Sequence, residues 1–440
     1  MTSPVTVDTI IEAHWIIPVE PEKTVLIDHA IVIDDGIIKA ILPSSQARTQ
    51  FTSLNHIALN RHVVIPGLIN LHTHAAMTLL RGLADDLPLM EWLNHHIWPT
   101  EKQFVDANFV LDGVKLACAE MLKGGITCFN DMYYFPEVTA KAVIETGMRA
   151  AIGLIVIDFP SSYASDADDY LAKGLALRGQ YPQHPQLSFC LAPHAPYTVN
   201  DRVLANIMTY ADQLDLPVHI HLHETHDEIM HSLNTCGLRP LARLHQLGLL
   251  GPKLIAVHMV HLIEKEIKLL KQQNCNVAHC PSSNLKLASG FAPVTDLLAH
   301  GINVGIGTDG AASNNCLDMF EEMRLTALLA KANSNKAEAL PAHQALRMAT
   351  LNGAIALGLD KITGSLSIGK AADITAVDFS GLTLSSCFDP VSHLVYVAGQ
   401  EHVSHVWVNG KLLLDDGELV TLNEKELINR AIQWQKRLNS

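Results

Sequence analysis

Two histidines one residue apart, His72 and His74, close the apolar run Val63 to Leu71. Along a strand, residues i and i+2 point to the same side, so the pair can grip one metal ion. Catalytic zinc takes three or more protein ligands and keeps a position for water, the arrangement of metal-assisted hydrolysis. A lone His-x-His among 24 histidines is weak evidence, so the test is whether other strand ends bring further donors. They do. Pro217–Glu224 carries His219, His221 and His223 at alternate positions, with Glu224 just past them, and the next apolar run ends in Ala256-Val-His258. A last run, Gly305–Gly310, supplies Asp309. An Asp closing a Gly-rich strand is as readily a helix cap. Three in-facing imidazoles would each need a polar partner, however. Jointly, His72, His74, His221, His258 and Asp309 at four strand ends are hard to explain as structure alone.

These donors need elements that end side by side. From residue 61 to 365, apolar runs alternate with helical patterns: 63–71, 126–130, 150–157, 187–191, 218–222, 254–257, 276–279 and 302–307. Eight strands separated by helices predict a parallel (β/α)8 barrel, whose chemistry sits at the carboxyl ends of its strands. Asp106 to Lys123 has apolar positions at three- and four-residue spacing and stops at Gly124-Gly125, which predicts a helix. Residues 1–60 and 366–440 read differently. Asp35-Gly36 and Asn409-Gly410 each sit between β-patterned runs, as in tight hairpins. The two ends are expected to close into one small β-sandwich, with the barrel inserted between them. Asn423, with Glu426 three residues on, predicts a capped carboxyl-terminal helix on the outside of the fold.

Composition narrows the partners. A formal charge of -14 over 440 residues argues against nucleic acid and anionic membranes, which reward a basic face. A small-molecule substrate fits better. The amino-terminal stretch does not read as a signal peptide, and no stretch is long and apolar enough to span a bilayer. Eight scattered cysteines without a Cys-x-x-Cys pair suit reduced thiols in the cytoplasm. Cys280, beside His279, reads as a small buried residue.

Pro66–His74 (Pro-Gly-Leu-Ile-Asn-Leu-His-Thr-His), the His221-x-x-Glu224 spacing, His258, Thr308-Asp309-Gly310 and the late Gly364–Asp373 segment together resemble the amidohydrolase superfamily. The resemblance covers nearly the whole chain. It implies a distorted (β/α)8 TIM barrel with a β-sandwich built from both termini, in agreement with the patterning. The fourth-strand region, Leu187 to Thr198, lacks the Lys that would be carbamylated to bridge two metals, so one divalent ion is expected, zinc first. By resemblance its ligands are His72, His74, His221 and Asp309. Glu224 would shuttle a proton to a substrate ring nitrogen, His258 would orient the attacking water, and Asp309 would accept its proton. This is the division of labour of a hydrolytic deaminase acting on a cyclic amidine; zinc deaminases of an unrelated fold divide it similarly.

Leu80–Leu93, Trp98–Glu101, Ala192–Tyr197, Pro281–Leu287 and Asp309–Asn315 resemble the 5'-methylthioadenosine/S-adenosylhomocysteine deaminase family. That resemblance implies nucleoside contacts from Trp92, Glu101 and His194, with Ser313 near the adenine. Glu101 can accept two ribose hydroxyls, and an aromatic face suits a methylthio group. The stretch 152–172 holds Asp158, Asp166, Asp168 and Asp169 but no Arg or Lys. A substrate carboxylate would meet like charge there, which predicts a preference for methylthioadenosine, with adenosine as a possible second substrate. Other hydrolases of the subgroup acting on guanine, cytosine or a triazine, a binuclear amidase, and a non-catalytic metal-binding scaffold stand as alternatives. A homodimer is the expected assembly.

Overall fold

A computed structural model describes residues 4–439; the first three residues of the amino-terminal stretch read above lie outside it. The amino-terminal segment forms strands β1 (Val5–Ile16), β2 (Leu26–Asp34), β3 (Ile37–Pro43) and β4 (Phe51–Pro66). Eight parallel strands follow: β5 (Leu68–Thr73), β6 (Ile126–Asp131), β7 (Arg149–Val156), β8 (Leu187–Pro193), β9 (Val218–Leu222), β10 (Leu254–His258), β11 (Asn276–His279) and β12 (Asn303–Ile306). The chain returns with β13 (Ile374–Asp378), β14 (Val403–Val408), β15 (Lys411–Asp415) and β16 (Glu418–Leu419).

The terminal strands join in one sheet, ordered β16-β15-β14-β13-β4-β1-β2-β3. The sandwich is this sheet folded over: Ile33 and Ile38 from one half share a core with Ile374 and Trp407 from the other. The Asp35-Gly36 and Asn409-Gly410 turns both have positive φ, the geometry a two-residue hairpin requires. They meet across Ala372, which donates to the Gly36 carbonyl and accepts from the Gly410 N–H.

The predicted run Val63–Leu71 is two strands. Val63 to Pro66 pairs with β13 in the terminal sheet, and the barrel begins at Leu68. Gly67 stands at the change, and a Cβ there would lie 2.0 Å from the Thr127 hydroxyl. The barrel strands run in the order β5 to β12, each paired with the next. Between β12 and β5, the two ends of the sheet order, the Asn70 side chain and a backbone bond join the strands in place of a ladder. Asn70 donates to Thr308 Oγ1 at 2.7 Å and accepts from the Thr308 N–H at 2.9 Å, while the Asp309 N–H reaches the His72 carbonyl at 2.9 Å. Gly307 permits this approach, since a Cβ there would sit 2.6 Å from the His72 nitrogen.

The helix Ala107–Lys123 is capped by Asp106, whose carboxylate accepts from Phe109 N–H. The carboxyl-terminal helix Glu424–Leu438 is capped by Asn423 through Glu426 N–H. It packs Trp434 on Phe109 and ties the indole N–H to Asp112 at 2.9 Å. Among the described residues, no helix is long and apolar enough to cross a membrane.

Candidate metal centre and active site

Strand ends bring His72, His74, His221 and Asp309 together, with one donor atom from each lying within 4.8 Å of the others. His72 and His74 come from β5, His221 from β9, and Asp309 from the turn after β12. That turn is left-handed at Asp309 (φ 63°), a conformation that Asp tolerates better than most residues and that clusters at functional sites. His72 Nε2 lies 3.2 Å from Asp309 Oδ1 and 3.2 Å from His221 Nε2, while His74 Nε2 lies 3.3 Å from the same carboxylate oxygen.

The opposite ring nitrogens are all engaged. His74 Nδ1 meets the Met132 carbonyl at 2.5 Å, His221 Nδ1 meets the His194 carbonyl at 2.7 Å, and His72 Nδ1 meets His219 Nε2 at 2.9 Å. Donation through Nδ1 leaves the Nε2 lone pairs of three imidazoles converging on one point beside a carboxylate. Lone pairs facing at 3.2 Å repel unless a cation lies between them, so the donor set fits a single divalent ion. Without one, burial drives the His72 pKa down to about 4. His74 goes the other way, to about 9: burial lowers it, but the Asp309 hydrogen bond and charge outweigh burial. Asp309 is held well below the carboxylate range because these two imidazoles overcome its burial.

Glu224, His258 and Ser313 stand beside this cluster. His258 Nε2 lies 3.8 Å from Glu224 Oε2 and 3.9 Å from Asp309 Oδ2. Burial raises the Glu224 pKa. The cavity above, about 730 Å³ including its mouth, is lined by every site residue singled out in the sequence except His72, which lies behind His74 and His221. Trp92 and Glu101 reach it from the helical segment after β5. Trp92 is anchored through its indole N–H to the Leu83 carbonyl at 3.2 Å. His194 Nδ1 is tied to Thr198 at 3.0 Å, which leaves its Nε2 unpaired. Burial lifts the Glu101 pKa to about 7 although the Tyr133 hydroxyl donates to it at 2.7 Å.

Several expectations change. His223 does not share the face of His219 and His221. It lies past the end of β9 with φ 56°, accepts from the Leu241 N–H and meets the His261 carbonyl, as a satisfied structural histidine. The four aspartates of 152–172 do not confront the cavity. Asp166 caps the helix Ala167–Gln180, Asp168 and Asp169 pair with Arg202 and Lys173, and Asp158 accepts from the Asn200 N–H. That stretch presents Ile155, Ile157 and Phe159 to the cavity instead, and no Lys or Arg lines it among the described residues. Tyr133 also lines the cavity and escaped sequence reading, and Tyr197, which ends the Ala192–Tyr197 segment, lines it without having been given a role. Cys280 is fully buried and its thiol pKa is pushed well up by that burial, in keeping with a packing role.

Comparison with known proteins agrees with this geometry. Residues 63–413 match the amidohydrolase family model. A Saccharophagus degradans protein described as 5-methylthioadenosine/S-adenosylhomocysteine deaminase is 48% identical over 440 residues, 100% of this chain and 99% of that protein. A Teredinibacter turnerae protein of the same description is 48% identical over 440 residues, 100% of both chains. The crystal structure of an adenosine deaminase from Xanthomonas campestris with bound zinc superposes with a TM-score of 0.98 at 48% identity, covering 99% of each chain. Metal donors, barrel and full-length similarity coincide, and the chain belongs to the amidohydrolase family.

Proposed function

We propose that this protein is a zinc-dependent aminohydrolase that converts the adenine ring of 5'-methylthioadenosine to the inosine form with release of ammonia, accepting adenosine and S-adenosylhomocysteine less well. One observation carries the reading: the four-donor cluster, Glu224 and His258 converge on the floor of a cavity walled by Trp92, Glu101, His194 and Ser313. Similarity over the full chain to proteins described as deaminases of these nucleosides supports it.

His72, His74, His221 and Asp309 would hold the ion. When bound, it supplies Lewis acidity that brings the pKa of water at an open position toward neutrality. Glu224, kept protonated more readily by burial, gives its proton to the ring nitrogen next to the amino-bearing carbon and draws electrons from that carbon. His258 Nε2 and Asp309 Oδ2, 3.9 Å apart, flank the place where the attacking oxygen must sit. Asp309 Oδ2 takes the proton released on attack and returns it to the departing amine, and Glu224 recovers its proton from the new hydroxyl as the ring carbonyl forms. Glu101 accepts ribose hydroxyls, and Trp92 gives the nucleoside an apolar face.

The preference for methylthioadenosine rests on Ile155, Ile157 and Phe159 and on the absence of a basic lining residue, in place of the charge repulsion expected from the aspartates. A substrate carboxylate would lose its solvent hydrogen bonds unpaid, and hydrogen bonds to charged groups contribute about 1.5–3 kcal/mol. The barrel, residues 61–365, is the catalytic unit in this reading, and residues 1–60 with 366–440 are its scaffold, although β4 carries the scaffold sheet on to Pro66. All eight cysteines are unpaired, as a reducing cytoplasm favours. A homodimer is the assembly that the family resemblance favours.

Ammonia release should be measured on methylthioadenosine, adenosine, S-adenosylhomocysteine, guanine and cytosine, beside elemental analysis for one zinc per chain. Catalytic efficiency on methylthioadenosine is expected to exceed that on S-adenosylhomocysteine by ~tenfold or more. Equal or better turnover of S-adenosylhomocysteine overturns the preference; turnover of guanine or cytosine alone overturns the substrate class.

A further inference from the structure

The helix Pro281–Lys286 follows β11 and turns two adjacent side chains toward the catalytic groups. Ser283 donates to Asp309 Oδ2 at 2.7 Å. Asn284 places its carboxamide oxygen 2.9 Å from His258 Nδ1. Both side chains are buried, at 0% and 2% exposure.

Asn284 is poorly explained by packing. Its Nδ2 is buried without a hydrogen-bond partner, so the amide is an uncompensated polar group, and Leu or Met would fill the same space without that penalty. The one bond its side chain makes is to His258. That ring is set in an equally costly way: His258 and Met259 are consecutive non-glycine residues with φ of 73° and 50°, at the tip of β10. The strained backbone fixes where the ring sits. A partner at Nδ1 fixes which ring nitrogen carries the proton.

We propose that Asn284 is a positioning residue for the deamination reaction: its carbonyl oxygen accepts the His258 Nδ1–H and thereby leaves Nε2 unprotonated between Glu224 and Asp309. The consequence is specific. An Nε2 lone pair accepts a hydrogen from the attacking water and turns the other water hydrogen toward Asp309 Oδ2. An Nε2–H in the same place would donate to Glu224 or Asp309 instead, 3.8 and 3.9 Å away, and occupy the carboxylate that must move a proton. Asn284 thus reaches the reaction only through His258.

The inference rests on the deaminase reading above, and its test is arranged so that the two can fail separately. Absence of ammonia release by the unaltered enzyme strikes the reading; the pattern among variants strikes only Asn284. Asn284→Asp keeps an oxygen acceptor at the position, and Asn284→Leu removes it. Asn284→Leu is expected to lower kcat at least ~10²-fold with KM changed less than ~threefold, with full metal content and an unchanged melting profile. Asn284→Asp is expected to stay within ~tenfold of the unaltered kcat. A second readout does not depend on turnover: a slowly exchanging ring N–H proton resonance, identified by its loss in His258→Gln, should persist in Asn284→Asp and vanish in Asn284→Leu. Asn284→Leu with normal kcat overturns the proposal. So does Asn284→Asp as impaired as Asn284→Leu while both stay folded and metal-loaded, because that pattern means the amide donates to His258. If Asn284→Leu fails to fold, Asn284→Asp without the resonance overturns it.

Discussion

Glu228 holds Glu224 by its backbone: Glu228 Oε2 accepts the Glu224 N–H at 2.8 Å, while Oε1 accepts the neighbouring His223 N–H at 3.0 Å. Glu228 lies in the first turn of the helix His226–Cys236, which Thr225 caps through the Glu228 N–H. Burial pushes its pKa up to about 8 against these two hydrogen bonds. The turn that carries the proposed proton carrier is therefore pinned by a side chain that never enters the cavity.

Glu228→Ala should lower kcat about 10²-fold, the effect of displacing a reacting group by about 1 Å, while the metal stays bound. Steady-state kinetics beside elemental analysis checks this; unchanged kcat removes Glu228 from the account.

Glu224→Gln keeps the shape of the side chain but cannot cycle a proton. It should retain the full metal complement and lose ammonia release by ~10²-fold or more. Retained turnover refutes the role assigned to Glu224.

Glu101 titrates in the useful range. Its folded pKa of about 7 lies above the ordinary 4.5, because burial outweighs the Tyr133 hydrogen bond and the His74 charge. The folded chain thus holds this proton more tightly than the unfolded chain. Its contribution to stability is full below about 4.5 and is lost as pH rises through about 7. Nucleoside binding runs in the opposite sense, since only the ionised carboxylate can accept both ribose hydroxyls. KM should fall as pH rises through about 7, and Glu101→Gln should flatten that dependence. A KM profile of the unaltered enzyme that is level across this range contradicts the assignment.

Arg149 and Asp373 form a buried two-point pair between β7 and the start of β13, at 2.8 and 3.2 Å, and Asp373 also accepts the Asn409 N–H at 2.7 Å. Arg149→Met leaves that carboxylate buried and unpaired. It should cost about 3–5 kcal/mol, read as an earlier denaturation midpoint. A shift under about 1 kcal/mol, the range of exposed pairs, means that the pair is not the clamp inferred from its burial. This pair gives a physical role to Asp373, the last residue of the Gly364–Asp373 segment that sequence alone tied to family membership.

The barrel and the metal donors were legible because their signals are local. Apolar runs alternate with helical spacing, and His72, His74, His221 and Asp309 fall at run ends. What escaped reading depends on distant partners. The apolar stretch carries Pro66-Gly67 at the change from one sheet to the other, but what makes glycine necessary there is Thr127, on β6. His223 resembles His219 and His221 in spacing, and only its left-handed backbone sends it elsewhere. The aspartates of 152–172 suggested a repulsive wall because sequence shows their charge but not Arg202, Lys173 or the helix cap that engage them. Asn284 lies in a recognisable motif, yet its meaning comes from a ring 26 residues away in sequence.

The passage of β4 into β5 through Gly67 has a consequence for the order in which a newly made chain can finish its centre. His72 and His74 emerge early from the ribosome, but β4, which leads into their strand, pairs with β13 only after residue 374 has been made. Asp309, whose N–H and carboxylate both reach His72, also arrives more than two hundred residues later. The four donors of the cluster therefore cannot all be in place before Asp309 has been made, and the sheet that leads into β5 gains its β13 neighbour later still.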